Sequence, residues 1–304
     1  MPAVPASVSL VVTTYNWPEA LAFVLDSARR QSRLPDEVLV ADDGSGEPTR
    51  AALQAAAVDF PVPLRHVWQP DDGFRAARSR NRAIAAARSD YVVILDGDMV
   101  MHRHFIADHL AAAKPGTFVQ GSRLFAGPDA SARMRRERIF EPGLLFPDLK
   151  RRRHTLRVPL LARLQLAISQ KTSPACIKSC NQGYWRADLL RVNGFDERMQ
   201  GWGREDDEIA ARLFHCGIPR RLLRYGGLAT HLHHTVRHDD GASPNDVYLA
   251  DTRARRLTRC ESGIDGHLAE FERAPPADLR DRAALEVPLS YSGIEPLHAR
   301  AAAL

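Results

Sequence analysis

Cysteine is scarce in this 304-residue chain. Its four residues, Cys176, Cys180, Cys216 and Cys260, form no CxxC pair. Neither a disulfide framework nor a cysteine metal site is expected, and in a reducing compartment all four would be free thiols. No run of about 18 apolar residues occurs, so no membrane-spanning helix is expected. The N-terminus lacks a basic leader followed by an apolar block and a cleavage site. The short apolar stretch Val8–Val12 reads as a strand instead, and the expected location is the cytosol. A GxxxxGK[ST] loop is missing, and no GxGxxG follows the first apolar run, which argues against P-loop kinases and NAD-dependent dehydrogenases. There is no internal repeat and no nucleic-acid recognition motif, so no nucleic-acid partner is expected.

The formal charge is modest at +5, but its placement is uneven. Basic residues greatly outnumber acidic ones between Arg133 and Lys171, in the clusters Arg133-Met-Arg-Arg-Glu-Arg138 and Lys150-Arg-Arg-Arg153. Val158, Leu160, Leu161, Leu164, Leu166 and Ile168 follow the second cluster. Such a stretch suits a solvated helix face, the surface of an anionic membrane, or an anionic polymer.

The first hundred residues alternate in character. Strands are predicted over Val8–Thr14, Glu37–Asp43, Leu64–Gln69 and Tyr91–Leu95, with helices over Pro18–Gln31, Glu47–Phe60 and Phe74–Arg88. Asn16 is placed to cap the first helix, with Pro18 in its first turn. This alternation implies βαβ units around a mainly parallel sheet. Tyr91-Val-Val-Ile-Leu95 is apolar without alternation, as in a strand covered on both faces. Further on, Thr117–Phe125 and Arg220–Leu223 read as strands, and the segment before Phe214 as a helix. Beyond about Ala274 the pattern is lost, and the tail reads as a docked arm or as partly disordered.

Ligands of open parallel sheets bind at the carboxyl ends of the strands. Here four successive strand ends carry Thr13-Thr-Tyr-Asn16, Asp42-Asp-Gly-Ser45, Asp71-Asp-Gly-Phe74 with Arg75, Arg78 and Arg80, and Asp96-Gly-Asp98. An anionic ligand together with a divalent cation reconciles those charges. Two carboxylates flanking a glycine offer oxygens to Mg²⁺ or Mn²⁺, which would bridge diphosphate oxygens. A second constellation is Gly201-Trp-Gly-Arg-Glu-Asp-Asp-Glu208. Trp202 offers a flat face to a sugar ring, and a carboxylate ionised at a helix N-terminus suits a general base. The third is His231-Leu-His-His234. One imidazole would join Asp98 as a metal ligand: His231 first, with His233 and His234 as alternates.

These residues resemble family 2 glycosyltransferases, whose fold is the GT-A nucleotide-diphospho-sugar transferase type. The likeness runs through Val11-Val-Thr-Thr-Tyr-Asn16, Gln31–Pro35 to Asp42-Asp-Gly-Ser45, Ser79-Arg-Asn-Arg-Ala-Ile84 and Leu95-Asp-Gly-Asp98. Asn181-Gln-Gly-Tyr-Trp-Arg186, Gly194-Phe-Asp-Glu197 and Gly201 to Asp207 are similar to the C-terminal module of galactosyltransferase-type enzymes. The resemblance implies that Thr13, Tyr15 and Asp42 hold the uracil and ribose of a UDP-sugar, with Arg80 near the nucleotide or diphosphate. Asp96 would meet the ribose or the metal, and Asp98 and His231 would bind Mn²⁺ or Mg²⁺. Glu205 would touch the acceptor, and Asp206 would be the base of an inverting single displacement. Two positions depart from the pattern: Ala83 and Arg204 stand where relatives usually or often carry glycine.

The implied organisation is a nucleotide-sugar-binding half over residues 1–125 and a basic insertion over 126–175 facing membrane or acceptor. An acceptor and catalytic half follows over 176–275, then a tail over 276–304. The implied activity is transfer of a hexose or N-acetylhexosamine to a hydroxyl of a glycan or glycolipid, at the inner membrane face or in the cytoplasm. A GDP-sugar donor and a non-catalytic glycan-binding relative are the alternatives.

Overall fold

A computed structural model of the chain describes residues 4–168, 170–171, 177–235 and 243–281. Its first part runs β1 (Val8–Thr14), α1 (Pro18–Arg29), β2 (Glu37–Asp42), α2 (Glu47–Ala57), β3 (Leu64–Trp68), α3 (Ala76–Ala86) and β4 (Tyr91–Asp96). The alternation read from the sequence therefore holds, with helix ends drawn in by a turn or less. After it come β5 (Met99–Met101), α4 (Phe105–Ala112), β6 (Phe118–Gln120), β7 (Arg123–Ala126), α5 (Pro128–Glu137) and β8 (Leu149–Lys150). A 3-10 turn (Arg152–Thr155) leads to α6 (Pro159–Ile168), β9 (Gln170–Lys171), β10 (Asn181–Trp185) and α7 (Arg186–Val192). The described elements end with α8 (Glu205–His215), β11 (Arg220–Leu222), β12 (Ala229–His231), α9 (Asp246–Ala254) and α10 (Asp265–Arg273).

The main sheet has the order β3-β2-β1-β4-β10-β6-β11-β9. Its first four strands are parallel, and only β10 and β9 run against the rest. Two apolar layers cover it. Val8, Leu10 and Val12 of β1, with Tyr91, Val93 and Leu95 of β4, pack against Leu21, Val24 and Leu53 of α1 and α2. Val11, Val92 and Ile94 face the other way, onto Ile84, Leu189 and Ile209 of α3, α7 and α8. A strand buried on both faces still alternates; it merely has no polar side to show.

Two expectations need correction. Thr117–Phe125 is not one strand but β6 and β7, which lie in different sheets. The break falls at Gly121, where the Asn181 side chain occupies the space a Cβ would need, 2.3 Å away. Asn181 donates from Nδ2 to the carbonyls of Ser122 and Gly227, both at 3.0 Å, and so fixes the turn. Asn16 does not cap α1. It takes a left-handed φ of 47°, and its Oδ1 accepts from the Gly46 N–H at 2.9 Å, so it ties the β1 loop to the β2 loop.

The second sheet, β5-β12-β7-β8, is small but sets the site. Antiparallel pairing opposes His231 to Met99, and the Leu232 N–H donates to the Asp98 carbonyl at 2.9 Å. Asn81, in the middle of α3, holds the Gly194–Glu197 segment by accepting from Phe195 N at 2.8 Å and donating to its carbonyl at 2.7 Å. After α10 the chain lies along β3: Leu279 N donates to the Leu64 carbonyl at 2.8 Å, and Arg65 reaches the Pro276 carbonyl at 3.0 Å. The rest of the expected tail, residues 282–304, lies outside the described residues, as does Cys176. Cys180, Cys216 and Cys260 are free thiols. No helix among the described residues is long and apolar enough to cross a membrane.

Candidate active site

A cleft of about 550 Å³ opens over the carboxyl ends of β1 and β4 and is closed on the far side by the 202–207 segment. Parallel pairing sets Thr13 beside Asp96, and the Thr13 hydroxyl donates to Asp96 Oδ1 at 3.1 Å. The residue between the two aspartates must be glycine, because a Cβ on Gly97 would sit 2.4 Å from the Thr13 carbonyl oxygen. Close passage over β1 thus turns the Asp96 and Asp98 side chains into the cleft.

Asp98 meets two histidines. Its Oδ2 lies 3.4 Å from His231 Nε2 and 3.3 Å from His234 Nε2. The ligand-type atoms of the three residues all fall within 4.8 Å of one another. Asp98 Oδ1 is buried and accepts no hydrogen bond. An orphaned carboxylate oxygen beside two imidazoles is expensive unless something positive fills the gap. Two nitrogens and a carboxylate fit a transition-series divalent ion such as Mn²⁺. Burial drives the His231 pKa down, while the bond to Asp98 draws that of His234 up. His233 is not in the group: its backbone N–H is held by Ser131 Oγ at 2.8 Å and its side chain is exposed.

Arg80 links the two walls. It is buried, with Nη1 3.2 Å from Glu205 Oε1 and Nη2 3.4 Å from Asp96 Oδ1. Burial opposes its charge, but Asp96 and Glu205 outweigh burial and hold the guanidinium ionised. Asp206 follows at the start of α8. Its Oδ2 accepts from the Ser179 N–H at 3.3 Å and its Oδ1 from the Asp207 N–H at 2.9 Å. Burial, reinforced by Glu205 and Asp207 against Arg80 and Lys178, pushes its carboxyl up to about 7. Trp202 stands exposed on the rim of the same wall. Arg204 takes a left-handed φ of 75°, and its Nε holds Asp246 of α9 at 2.5 Å. That backbone shape favours glycine, and the ion pair holds an arginine in it.

The sequence-predicted residues Thr13, Tyr15, Arg80, Asp96, Asp98, Trp202, Glu205, Asp206, His231 and His234 all line this cleft. Asp42 does not. It is fully buried, spent on the Ser45 N–H at 2.8 Å and on His66 Nε2 at 2.8 Å. Its neighbour Asp43 lines the cleft instead, accepting from the Arg75 N–H at 2.8 Å, and burial pushes its carboxyl up to about 6. Strand alternation could have separated the pair, since one of two consecutive aspartates at a strand end must turn inward. Tyr15 donates to Asp71 Oδ2 at 3.0 Å, a bond that raises its pKa. The cleft also takes in Arg123, Phe125, Lys178 and Ser179, which carry no sequence motif of their own. Cys180 borders it as well, but burial, with Asp96 adding to it, pushes the thiol up to about 12 and keeps it protonated.

An α/β/α layered domain with paired carboxylates and histidines at its strand ends is the GT-A type of nucleotide-sugar transferase fold. The chain belongs to glycosyl transferase family 2, whose profile matches residues 9–170. The profile described as the N-terminal domain of galactosyltransferase matches residues 168–238. Over 230 residues the chain is 29% identical to validoxylamine A glucosyltransferase of Streptomyces hygroscopicus subsp. limoneus, covering 71% of this chain and 49% of the relative. It is 26% identical to chondroitin synthase of Escherichia coli over 239 residues, covering 73% of this chain and 34% of that protein. The chain thus spans half or less of the length of these relatives. Among solved structures, a mannosyltransferase from Pyrobaculum calidifontis in complex with GDP-Man and Mn²⁺ superposes with a TM-score of 0.54 at 19% identity, covering 93% of this chain and 81% of that one. S. aureus TarS 1–349 in complex with UDP-GlcNAc superposes with a TM-score of 0.55 at 18% identity, covering 88% and 71%.

Proposed function

We propose that the protein is an inverting glycosyltransferase moving a hexose or N-acetylhexosamine from a UDP-sugar to a hydroxyl of a glycan or lipid-linked acceptor. The observation that carries this reading is the facing of Asp206, a carboxylate with a pKa of about 7, across one cleft from the Asp98–His231–His234 group. Thr13, Tyr15 and Asp43 would receive the nucleoside, with Asp43 taking the part expected of Asp42. Arg80 would hold Asp96 and Glu205 in place and add positive charge near the diphosphate. Glu205 and Trp202 would orient the acceptor. Its hydroxyl oxygen attacks the anomeric carbon while its proton passes to Asp206, and the bond from that carbon to the diphosphate oxygen breaks, releasing UDP with inversion. A divalent cation held by Asp98, His231 and His234 would offset charge on the diphosphate, and the two nitrogen donors favour Mn²⁺ over Mg²⁺. Reaction would take place at the cytoplasmic face.

Calorimetric titration of UDP with and without Mn²⁺, with GDP as control, tests the donor. UDP binding that needs Mn²⁺, and that Asp98→Ala abolishes, is the expected result. Preference for GDP would move the protein to a GDP-sugar donor, the nucleotide class in the mannosyltransferase complex. Binding of neither nucleotide by folded protein would overturn the catalytic reading.

A further inference from the structure

Helix α6 carries its apolar residues on the wrong side for a core. Ala162 and Leu166 are buried against Val119 and Leu223. Leu160, Leu161, Leu164 and Ile168 fall on the opposite side, within an arc of about 100° at 3.6 residues per turn. Leu160 is 67% exposed, Leu164 59% and Ile168 85%. On the loop before the helix, Leu145 is 90% exposed. Soluble surfaces scatter single aliphatic residues, but a stripe of four on one helix face marks a contact.

The charges around that stripe point to one partner. From Leu144 to Ile168 there are six basic residues, Lys150, Arg151, Arg152, Arg153, Arg157 and Arg163, against the single acid Asp148. Arg157 is paired with Asp108 at 2.7 Å. Arg151, Arg152, Arg153 and Arg163 have no carboxylate partner among the described residues. His154 lies among them, and Arg153 and Arg151 add to burial in lowering its pKa. A second copy of this chain docked symmetrically here would set this positive ring against its own image, which opposes association. An anionic bilayer satisfies both features, with the aliphatic stripe entering the headgroup boundary and the arginines meeting phosphates.

The geometry points to α6 and the preceding arginine cluster as a docking face for an anionic lipid bilayer. The face adjoins the cleft: the Arg151 guanidinium lies 5.0 Å from the centre of the Phe125 ring, and that ring lines the cleft and packs on His231. Docking brings this edge of the cleft to the headgroups, where a lipid-linked acceptor would present its sugar. The acceptor part rests on the transferase reading; the docking face does not.

The test is co-sedimentation of the full chain with vesicles of phosphatidylcholine alone or with about a third phosphatidylglycerol, a fraction giving strong negative surface potential. The expected result is binding at least about tenfold stronger to the anionic vesicles, and weaker at high salt. Leu164→Ser with Ile168→Ser, and separately Arg152→Glu with Arg153→Glu, should each lower it about tenfold or more. UDP affinity in both variants should match the parent, which separates failure of docking from failure of the donor site. Equal or absent binding to the two vesicle types overturns the proposal. So does a dimer in light scattering that Leu164→Ser with Ile168→Ser converts to monomer, since the stripe would then be a self-interface.

Discussion

The two walls of the cleft are built by different means. The strand-end wall, carrying Thr13, Asp96 and Asp98, is placed by parallel backbone ladders and by a glycine that lets β4 pass close over β1. The opposing wall, carrying Trp202, Glu205 and Asp206, is placed by side chains: Arg204 on Asp246, Arg80 on Glu205, and the Ser179 N–H on Asp206. Backbone ladders tolerate changes of side chain; a wall held by side-chain pairs does not. Under the proposed function, the first wall would receive the invariant donor group, and the second would be where acceptor choice varies.

The sharpest way to break this division is Asp206→Asn. Turnover should fall by about 10²–10⁴-fold, the usual worth of a general base, with UDP affinity unchanged. Single-turnover kinetics beside calorimetry would check it, and ordinary turnover would remove Asp206 from the role. Next is Arg80→Ala, which strikes both walls at once. It leaves Asp96 and Glu205 without their shared partner and should destabilise the fold by about 3 kcal/mol, measurable by denaturant unfolding. An unchanged midpoint would mean that the walls stand independently.

The pH profile separates the walls more gently. A base works ionised, and burial has raised Asp206, so kcat/KM should rise with pH through about 7 and fall below it. Burial pushes the Asp43 carboxyl, on the strand wall, up to about 6, so Asp43→Asn should leave the bend near 7 in place. A bend that disappears with Asp43 would reassign the titrating group. The smallest effect belongs to Arg204→Gly. Relief of a left-handed arginine, of order 1 kcal/mol, is set against loss of a partly exposed ion pair of about 0–1 kcal/mol. Stability should change by less than about 1 kcal/mol, and a large loss in thermal unfolding would show that the Asp246 pair anchors the wall.

The same contrast explains what the sequence revealed. Alternating elements and the strand-end position of Asp96-Gly-Asp98 were legible because burial and period govern them. Asp42 was expected in the cleft, but it ends β2 and is buried against the Ser45 N–H and His66, whereas Asp43 in the turn that follows lines the cleft; residue type alone does not tell two adjacent aspartates apart. His234 ranked below His231 although both reach Asp98, since the turn after β12 that returns His234 to the cluster carries no glycine or proline to announce it. The split of Thr117–Phe125 into β6 and β7 was hidden because its cause, the Asn181 side chain, lies far along the chain. Ser179 and Lys178 reach the cleft by tertiary packing alone.

The stretch from Pro276 to Leu279 beside β3 has a consequence for handling the protein. β3 is the outermost strand of the long sheet, and an uncovered edge is a template for pairing with another chain. The bonds from Leu279 to Leu64 and from Arg65 to Pro276 occupy part of that edge. A version cut after Arg273, the end of α10, would keep every described residue that lines the cleft, together with the Asp246 partner of Arg204, and lose this cover. Its weakness would be clumping at high concentration rather than faulty chemistry.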